Sequence, residues 1–376
     1  MGQRSLLEHF KTVEDPRQAW KVEHQLFDII FLTVAAVIGG AESWEEIQDF
    51  GELRLDWLEQ YGNFLNGVPS QYTIARVIGR IDPEQFQVCF MAWMEDCQAL
   101  TKGRVVSVDG KTVRSSYGKR DDRAAIHMVS AFCNKNNQVL GQLKTDAKSN
   151  EITVIPELLE LLDLSGCLVT LDAMGCQTKI ARCILDQDAD YLLAVKGNQG
   201  RLLKAFEKRL SFSSIQKMAV DELDLYETME TGRGRKETRQ YLLFDPFEEF
   251  VDLGFEWPGL KKVGVAISAR GKRSEEWTNL SIRYYITSAD LTAQEFGEAV
   301  RSHWGIENKL HWMLDVGMKE DACQVYRDNA AENLSGARRI ALNLLKRETT
   351  KKASIQRKQK MAAMNPDYMS QVLEAY

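Results

Sequence analysis

Residues 104–109, RVVSVD, are the segment from which the fold class is first predicted. They form a short run of mainly β-branched residues that ends on an aspartate. Such a run is typical of a strand, and Asp109 stands directly before Gly110. A second run of the same kind, CLVTLD at 167–172, ends on Asp172. An aspartate at such a position is also common in ordinary turns. However, the ligand-binding sites of open α/β sheets lie at the ends of strands. The two runs together predict an α/β fold with both aspartates at one edge of the sheet.

The segments around these runs predict a sheet of mixed strand direction. Residues 124–133 and 138–145 are strand-like and are joined by the turn signal NKNN, which predicts a hairpin. A mostly helical segment at 151–164 precedes the second run, a helix over about 176–188 follows it, and a further strand follows at 190–197. We therefore expect three antiparallel strands, then two strands reached through helices, as in parallel crossovers.

Two other regions have different patterns. Residues 1–100 show helical runs only, and Asp82-Pro83-Glu84 supplies a cap, a first-turn proline and a first-turn acid for one of them. Residues 200–290 begin as a helix and continue as four strand-like segments separated by turns such as GRGRK, which predicts a β-rich insertion. Helical patterns resume at 292–304 and continue beyond.

Composition narrows the class of protein. The 376 residues are 44% hydrophobic, which is ordinary for a globular protein large enough to fold without staples. No two of the seven cysteines are spaced as Cys-x-x-Cys, which argues against a zinc ribbon and a disulfide framework and fits a reducing compartment. The apolar run 26–38 contains Asp28 and is shorter than the roughly 20 residues that span a bilayer. We expect a cytoplasmic protein.

The charge distribution is uneven. The net charge of −6 excludes a polycation as a whole, but residues 345–360 carry seven Lys or Arg against one Glu. A local basic segment of this kind can bind nucleic acid electrostatically, or it can be a solvated helix face.

Residues 301–312, RSHWGIENKLHW, concentrate the residue types that carry chemistry. His303, Glu307 and His311 fall at i, i+4 and i+8, hence on one face of a predicted helix. That face could bind zinc by itself, or the helix could pack into the core with its histidines satisfied. A third interpretation joins Glu307 to the two strand-end aspartates. Such an oxygen set suits Mg²⁺, and two ions about 3.5–4 Å apart can drive phosphodiester cleavage.

Motifs along the whole chain carry a family resemblance, and the run around Glu307 is the most specific of them. The chain resembles DDE-type transposases of bacterial insertion sequences, and more narrowly the ISAs-type group, which includes the H-repeat-associated proteins. The motifs are DPRQAWKVEHQLFDIIFLT, VSVDGKTVRSS, KTDAKSNEITVIPELL, LVTLDAMGCQ, YLLAVKGNQ, GRGRKETR, RYYITSADLT, RSHWGIENKLHWMLDV and EDACQVYRDNAAENLSGARRIALNLL.

The resemblance implies a division of the chain and a reaction. It implies a helical N-terminal domain that contacts DNA, a ribonuclease H-like catalytic domain with a mixed sheet flanked by helices, a β-rich insertion and a basic C-terminal tail. It implies that a catalytic triad holds two Mg²⁺ ions, or Mn²⁺, for DNA cleavage and strand transfer, with the first aspartate bridging the ions. The predicted domains are 1–100, then 101–199 with 291–345, the insertion 200–290 and the tail 346–376; the triad is Asp109, Asp172 and Glu307.

The expected partner is double-stranded DNA, both the terminal inverted repeats of an element and the target. Pairing two ends implies a homodimer on DNA, and the resemblance places the protein with the bacterial nucleoid. Basic and aromatic residues near the triad could grip phosphates or stack on an unpaired base. Surface charge and core packing are the alternatives for them. The predicted DNA contacts are Lys111, Arg114, Lys196, Arg301, His303, Trp304, Lys309 and His311.

One departure separates this chain from the wider superfamily. The Tyr-Arg-Glu-Lys signature of that superfamily puts an arginine four residues before the glutamate and a lysine seven after it. Here those positions hold His303 and Leu314. A former transposase that binds DNA without cleaving it remains an alternative function.

Overall fold

The computed structural model describes residues 5–97, 104–116, 125–145, 151–218, 224–232, 235–248, 250, 257–272 and 279–376.

The N-terminal region is helical, as predicted. Ser70 caps one helix by accepting from the backbone N–H of Thr73, and Pro83 opens the next. The second helix is buried along nearly its whole length, so it forms the centre of a helical core. No helix among the described residues is long and apolar enough to cross a membrane. The helices are α1 (Leu6–Phe10), α2 (Leu26–Ile38), α3 (Trp44–Leu53), α4 (Leu55–Leu58), α5 (Gln71–Ile78) and α6 (Pro83–Cys97).

A nine-stranded mixed sheet runs through the rest of the molecule. Its strands lie in the order β3-β2-β1-β4-β5-β9-β8-β7-β6. Strands β1, β4 and β5 are mutually parallel, and all the other pairings are antiparallel. This confirms the predicted α/β class with a mixed sheet flanked by helices. The strands are β1 (Val105–Thr112), β2 (His127–Cys133), β3 (Gln138–Thr145), β4 (Leu168–Leu171), β5 (Asp190–Val195), β6 (Asp224–Gly232), β7 (Arg235–Phe244), β8 (Lys262–Lys272) and β9 (Asn279–Thr287).

Helices cover both faces of this sheet. Side chains of α7, α8 and α9 pack on one face in a core with alternate residues of β1, including Val106 and Val108. The helix α11 packs on the other face through Phe296, Ala299 and Val300. The helices are α7 (Glu151–Glu160), α8 (Thr178–Leu185), α9 (Gly200–Arg209), α10 (Phe212–Ile215), α11 (Ala293–Ile306), α12 (Ala330–Arg347), α13 (Ile355–Met364) and α14 (Pro366–Leu373).

The β-rich insertion continues the central sheet. Strand β9 pairs antiparallel with β5, so β6 to β9 lengthen the sheet that carries β1 and β4. This pairing covers the edge of β5, which would otherwise leave backbone groups unpaired. Where one domain ends and the next begins, at residues 199 and 291, stays a prediction.

Residues 346–376, expected as a basic tail, are instead folded onto the helical core. Ile355, Tyr368 and Val372 are buried there. Lys358 is buried as well, and its ammonium donates to the backbone carbonyl of Leu345 at 2.8 Å. Apolar residues at helical spacing between the lysines account for the difference, because each of these helices has one face to bury.

Candidate active site

Asp109 and Asp172 follow the last parallel pair between two neighbouring strands, which is Val108 on β1 with Leu171 on β4. Asp172 comes directly after β4, but β1 continues past Asp109 to Thr112 in its pairing with β2, so the strand end predicted at Asp109 is wrong. Asp172 closes a turn, because its Oδ1 accepts from the backbone N–H groups of Met174 at 2.8 Å and Gly175 at 3.2 Å. This aspartate therefore has the turn role that its position predicts.

Glu307 reaches the same edge from α11, which ends at Ile306. The chain then continues as a π-helix over Glu307–His311, a feature often found at functional sites. Ile306 and Leu310 are buried and fix this turn against the core, while Glu307 is exposed. The helix comes very close to the sheet at Gly305, where a Cβ atom would lie 2.3 Å from Oδ1 of Asn134.

The pKa of Asp109 depends on its burial and on nearby carboxylates. Burial raises the pKa of Asp109 to about 7, and the negative charges of Glu151, Asp172 and Glu307 add to the rise. The backbone N–H of Gly110 acts in the opposite direction. The charges of the two other predicted acidic residues, and of Glu151, therefore all act on Asp109.

The chemistry of this donor set fits a hard divalent cation. The four carboxylates supply oxygen alone, and their mutual repulsion at Asp109 would be relieved by a cation. As the side chains stand, no group of three or more His, Cys, Asp or Glu among the described residues is placed to hold a metal ion. Mg²⁺ usually keeps several waters and takes further ligands from substrate phosphates, so it needs few protein carboxylates.

His303, predicted to contact DNA, is instead bound to the sheet. Its Nδ1 lies 3.1 Å from the hydroxyl of Thr170 on β4. Thr170 donates in turn to Ser107 on β1 at 3.0 Å, and Asn134 also donates to Ser107, at 2.6 Å. Burial lowers the pKa of His303, which favours the neutral ring. This histidine therefore joins α11 to both strands that carry the aspartates.

His311, another predicted DNA contact, also faces inward. Its Nδ1 lies 3.7 Å from Oδ2 of Asp109. Burial lowers the pKa of His311 to about 3, and the positive charges of Arg339 and Lys111 contribute to the shift. Because His303 and His311 face different partners, the helix face does not present a His-Glu-His set, and the zinc interpretation is wrong for the residues described.

Lys111, a third predicted DNA contact, is used inside the protein. Its ammonium lies 2.7 Å from Asp315, 2.8 Å from Asp321 and 3.3 Å from Glu320. Glu320 is fully buried and also pairs with Arg339 at 2.8 Å. Burial alone would raise the pKa of Glu320, but the charges of Arg339 and Lys111 hold it at about 2. The structure thus removes Lys111 from the predicted phosphate contacts.

The other predicted DNA contacts lie on the surface. Lys196 and Lys309 are exposed. Arg114 is 83% exposed and approaches Asp321 at 3.5 Å, while Arg301 pairs with Glu230 at 2.7 Å. The Trp304 ring is 38% exposed, so it is not a core residue, and the Arg283 guanidinium lies 4.5 Å from its centre.

A basic groove of about 380 Å³ lies between α11 and strands β7 to β9. Residues on either side of Glu307 form part of its wall, so the groove opens beside the carboxylate site. Its four arginines come from three strands and from α11, which is why the sequence did not group them. The charged and aromatic side chains of this groove are Arg239, Arg270, Arg283, Arg301, Trp304 and Lys309, with Glu237.

Sequence reasoning also missed Glu151 and its partner. His127 Nε2 lies 2.6 Å from Glu151 Oε1, although the two residues are 24 positions apart. The only sequence signal for Glu151 is that it is an acid in the first turn of a helix that follows a strand. Acids are common at that position because they interact favourably with the helix dipole.

Known families and proteins resemble this chain in sequence. Residues 7–94 match the family described as DDE_Tnp_1-associated, and residues 100–344 match the family described as Transposase DDE domain. The chain is 51% identical over 375 residues to "Putative protein YbfL" of Escherichia coli (strain K12), covering 99% of this chain and 98% of that protein. It is 50% identical, with the same coverage, to "H repeat-associated putative transposase YhhI" of the same organism. A solved structure of the piggyBac transposase synaptic complex with hairpin DNA is similar at a TM-score of 0.41 and 11% identity, covering 98% of this chain and 79% of that one.

Proposed function

The chain belongs to the transposase DDE family with its associated N-terminal domain, and from that premise we propose that it cleaves and joins DNA at the ends of an insertion sequence. It binds the terminal inverted repeats, hydrolyses the DNA at each end, and transfers the freed 3′ hydroxyl to target DNA. The observation that supports this proposal is that Asp109 and Asp172 follow a paired position of β1 and β4 and that the charges of Asp172 and Glu307 both act on Asp109.

Each acidic residue has a role in this proposal. Asp109, on which the charges of Asp172 and Glu307 act, would hold two divalent ions together with those two residues. Two bound Mg²⁺ or Mn²⁺ ions supply activation of a water and neutralisation of the leaving oxygen. No side-chain nucleophile is required. His303 and Gly305 hold the helix of Glu307 against the strands, which fixes the separation of the carboxylates.

The basic groove supplies the surface for DNA beside these carboxylates. Guanidinium and ammonium groups bind phosphates without reading sequence. Arg283 lies against the face of Trp304, so a charge and an aromatic platform stand together. We therefore propose that a DNA strand lies in this groove and leads toward Glu307. Synapsis of two ends makes the active form a homodimer on DNA, in the cytoplasm of a bacterium.

The test uses the 376-residue chain and duplexes that carry the DNA flanking its gene, where the proposal expects the terminal repeats. With Mg²⁺ or Mn²⁺ we expect cleavage at the element boundary, read on a sequencing gel. Asp109→Asn and Glu307→Gln abolish cleavage but bind the duplex as the wild type does. Glu298→Gln, an exposed substitution on the same helix, is the matched control.

Two results separate the alternatives. Cleavage that persists in Asp109→Asn overturns the assignment of the carboxylates. Specific binding of the terminal repeats by the wild type without cleavage under any divalent ion favours a DNA-binding protein derived from a transposase.

A further inference from the structure

The π-helix that begins at Glu307 is contacted by a side chain from a distant helix. The ammonium of Lys346, near the end of α12, donates to the backbone carbonyl of Lys309 at 2.7 Å. The two residues are 37 positions apart, and Lys309 lies within the π-helix Glu307–His311. A backbone carbonyl has two lone pairs, so it can accept this bond in addition to one within its own helix.

The same ammonium also contacts the sheet. It lies 4.9 Å from the centre of the Phe132 ring on β2. Phe132 is fully buried and pairs with Ser107 of β1, the residue to which Thr170 donates. One lysine on α12 therefore joins the π-helix to the strand next to the one that carries Asp109.

The surroundings of Lys346 are unusual for a surface lysine. Among the residues that the structure describes, its ammonium contacts a carbonyl and an aromatic ring, and no carboxylate forms an ion pair with it. Burial lowers the pKa of Lys346 to about 7, and the positive charge of Lys309 acts in the same direction. Because removing a charge from water costs free energy, the lysine depends on its hydrogen bond and its ring contact to offset that cost.

The contact of Lys346 complements that of His303. His303 binds the sheet four residues before Glu307, through Thr170. Lys346 holds the backbone two residues after Glu307. The Glu307 side chain is exposed, so the restraint on its position comes from the backbone on either side of it.

We propose that Lys346 is a positioning residue for the cleavage reaction, and that its ammonium holds the π-helix against β2 and so fixes the position of Glu307. This inference rests on the proposed function. In this role Lys346 touches neither DNA nor the Glu307 carboxylate, so it acts on the rate of the chemical step and not on DNA affinity. Misplacement of a catalytic group by about 1 Å costs up to roughly a hundredfold in rate.

The first measurement is hydrogen exchange of the 376-residue chain without DNA, read by mass spectrometry. In Lys346→Met we expect the amides of residues 307–312 to exchange about tenfold faster, because a hydrogen bond from a charged group to this turn is lost. Lys346→Arg keeps a cation and a donor and should recover part of the protection. Lys352→Met is the matched control, since this exposed lysine follows the same helix, and it should exchange as the wild type does.

The second measurement is cleavage of the terminal-repeat duplex with Mg²⁺. We expect Lys346→Met to lower the rate at saturating DNA by about tenfold or more, with an unchanged Kd for the duplex. Lys346→Arg should recover part of the rate, and Lys352→Met should cleave as the wild type does. If Lys346→Met does not fold, Lys346→Gln takes its place, because its amide keeps a donor with a shorter reach, and we expect the same two changes from it.

The outcomes distinguish this inference from the proposed function. Wild-type exchange over residues 307–312 in Lys346→Met overturns the inference, and so does an equal rise in exchange along the whole chain, because the role is then one of general stability. Faster local exchange with a wild-type cleavage rate overturns it as well and leaves the proposed function standing. A fall in DNA affinity as large as the fall in rate also overturns it, because Lys346 then contacts DNA. A wild type that cleaves with no divalent ion overturns the proposed function and with it the positioning role, while the exchange result still decides whether Lys346 restrains the π-helix.

Discussion

The Nδ1 atom of His303 lies 3.1 Å from the hydroxyl of Thr170, which stands two residues before Asp172. Thr170 donates at 3.0 Å to Ser107, which stands two residues before Asp109. One hydrogen-bonded chain therefore links the helix of Glu307 to β1, which carries Asp109, and to β4, which directly precedes Asp172. Its partners lie far apart in sequence, 133 residues for the first contact and 63 for the second.

Breaking this chain should slow cleavage without weakening DNA binding. His303→Ala lets the helix shift relative to the strands, and misplacement of catalytic groups by about 1 Å costs up to roughly a hundredfold in rate. We expect a cleavage rate at saturating DNA lower by at least about tenfold, with an unchanged Kd. His303→Asn, which keeps a hydrogen-bonding group near the same place, restores part of the rate. An equal fall in DNA affinity would instead support the direct DNA contact predicted from sequence.

This contact shows where sequence reasoning succeeds and where it stops. Asp109 and Asp172 could be predicted together because strand patterns are local and adjacent parallel strands place equivalent ends together. The role of His303 could not be predicted, because Thr170, whose hydroxyl contacts its ring, lies on a strand 133 residues away along the chain. Local pattern alone left zinc, DNA and the core as open candidates for it.

The charged partners of Lys111 could not be predicted from the sequence either. A lysine two residues after a catalytic aspartate suggests a phosphate contact, yet its three carboxylate partners lie more than 200 residues further on. The pairing of β9 with β5 was hidden for the same reason, since sequence patterns indicate that a strand exists but not which edge it joins.

Lys111→Met should destabilise the protein strongly. It leaves Glu320 buried with one positive neighbour fewer, and breaking a buried ion pair typically costs about 3–5 kcal/mol. Arg114→Met is the control: that side chain is 83% exposed, and we expect a change within about 0.5 kcal/mol. Urea unfolding of the two variants measures the difference. Similar urea midpoints for the two variants would mean that the ion pairs of Lys111 do not stabilise the fold as their geometry indicates.

The raised pKa of Asp109 predicts how metal-free stability varies with pH. Because the folded pKa is about 7 and the ordinary value is 3.8, the native state holds this proton more tightly than the unfolded chain. The resulting stability is present below about pH 4 and is lost as pH rises to about 7, by at most ~4 kcal/mol. Asp109→Asn lacks this loss.

The check is thermal unfolding in EDTA of the wild type and Asp109→Asn, at about pH 5 and about pH 8. The thermal stability of Asp109→Asn should increase relative to that of the wild type as pH rises. Adding Mn²⁺ at the higher pH should stabilise only the wild type. A wild type that gains on the mutant with rising pH would show that Asp109 is not held protonated by its neighbours.

Gly110→Ala should damage the site through sterics alone. Its Cβ atom would lie 2.3 Å from both Glu151 Oε1 and His127 Nε2, so those groups must move. Overpacking of this kind costs about 1–3 kcal/mol, and we expect cleavage to fall further than stability does. Gly197→Ala is the matched control, since a Cβ there meets nothing within 4 Å. Equal activity in both variants would contradict the close approach of Glu151 to β1.

The basic groove predicts two different effects on DNA binding. Arg283→Ala removes one phosphate contact, so the slope of log K against log salt should become shallower by about 0.9 for duplex DNA. Trp304→Ala keeps the charge and should leave the slope unchanged, while it weakens binding to ends with an unpaired base by about 1–3 kcal/mol. Lys179→Ala is the control, because that exposed lysine lies on α8, which packs on the opposite face of the sheet. If Lys179→Ala changes the salt slope as much as Arg283→Ala does, the DNA does not follow the groove beside Glu307.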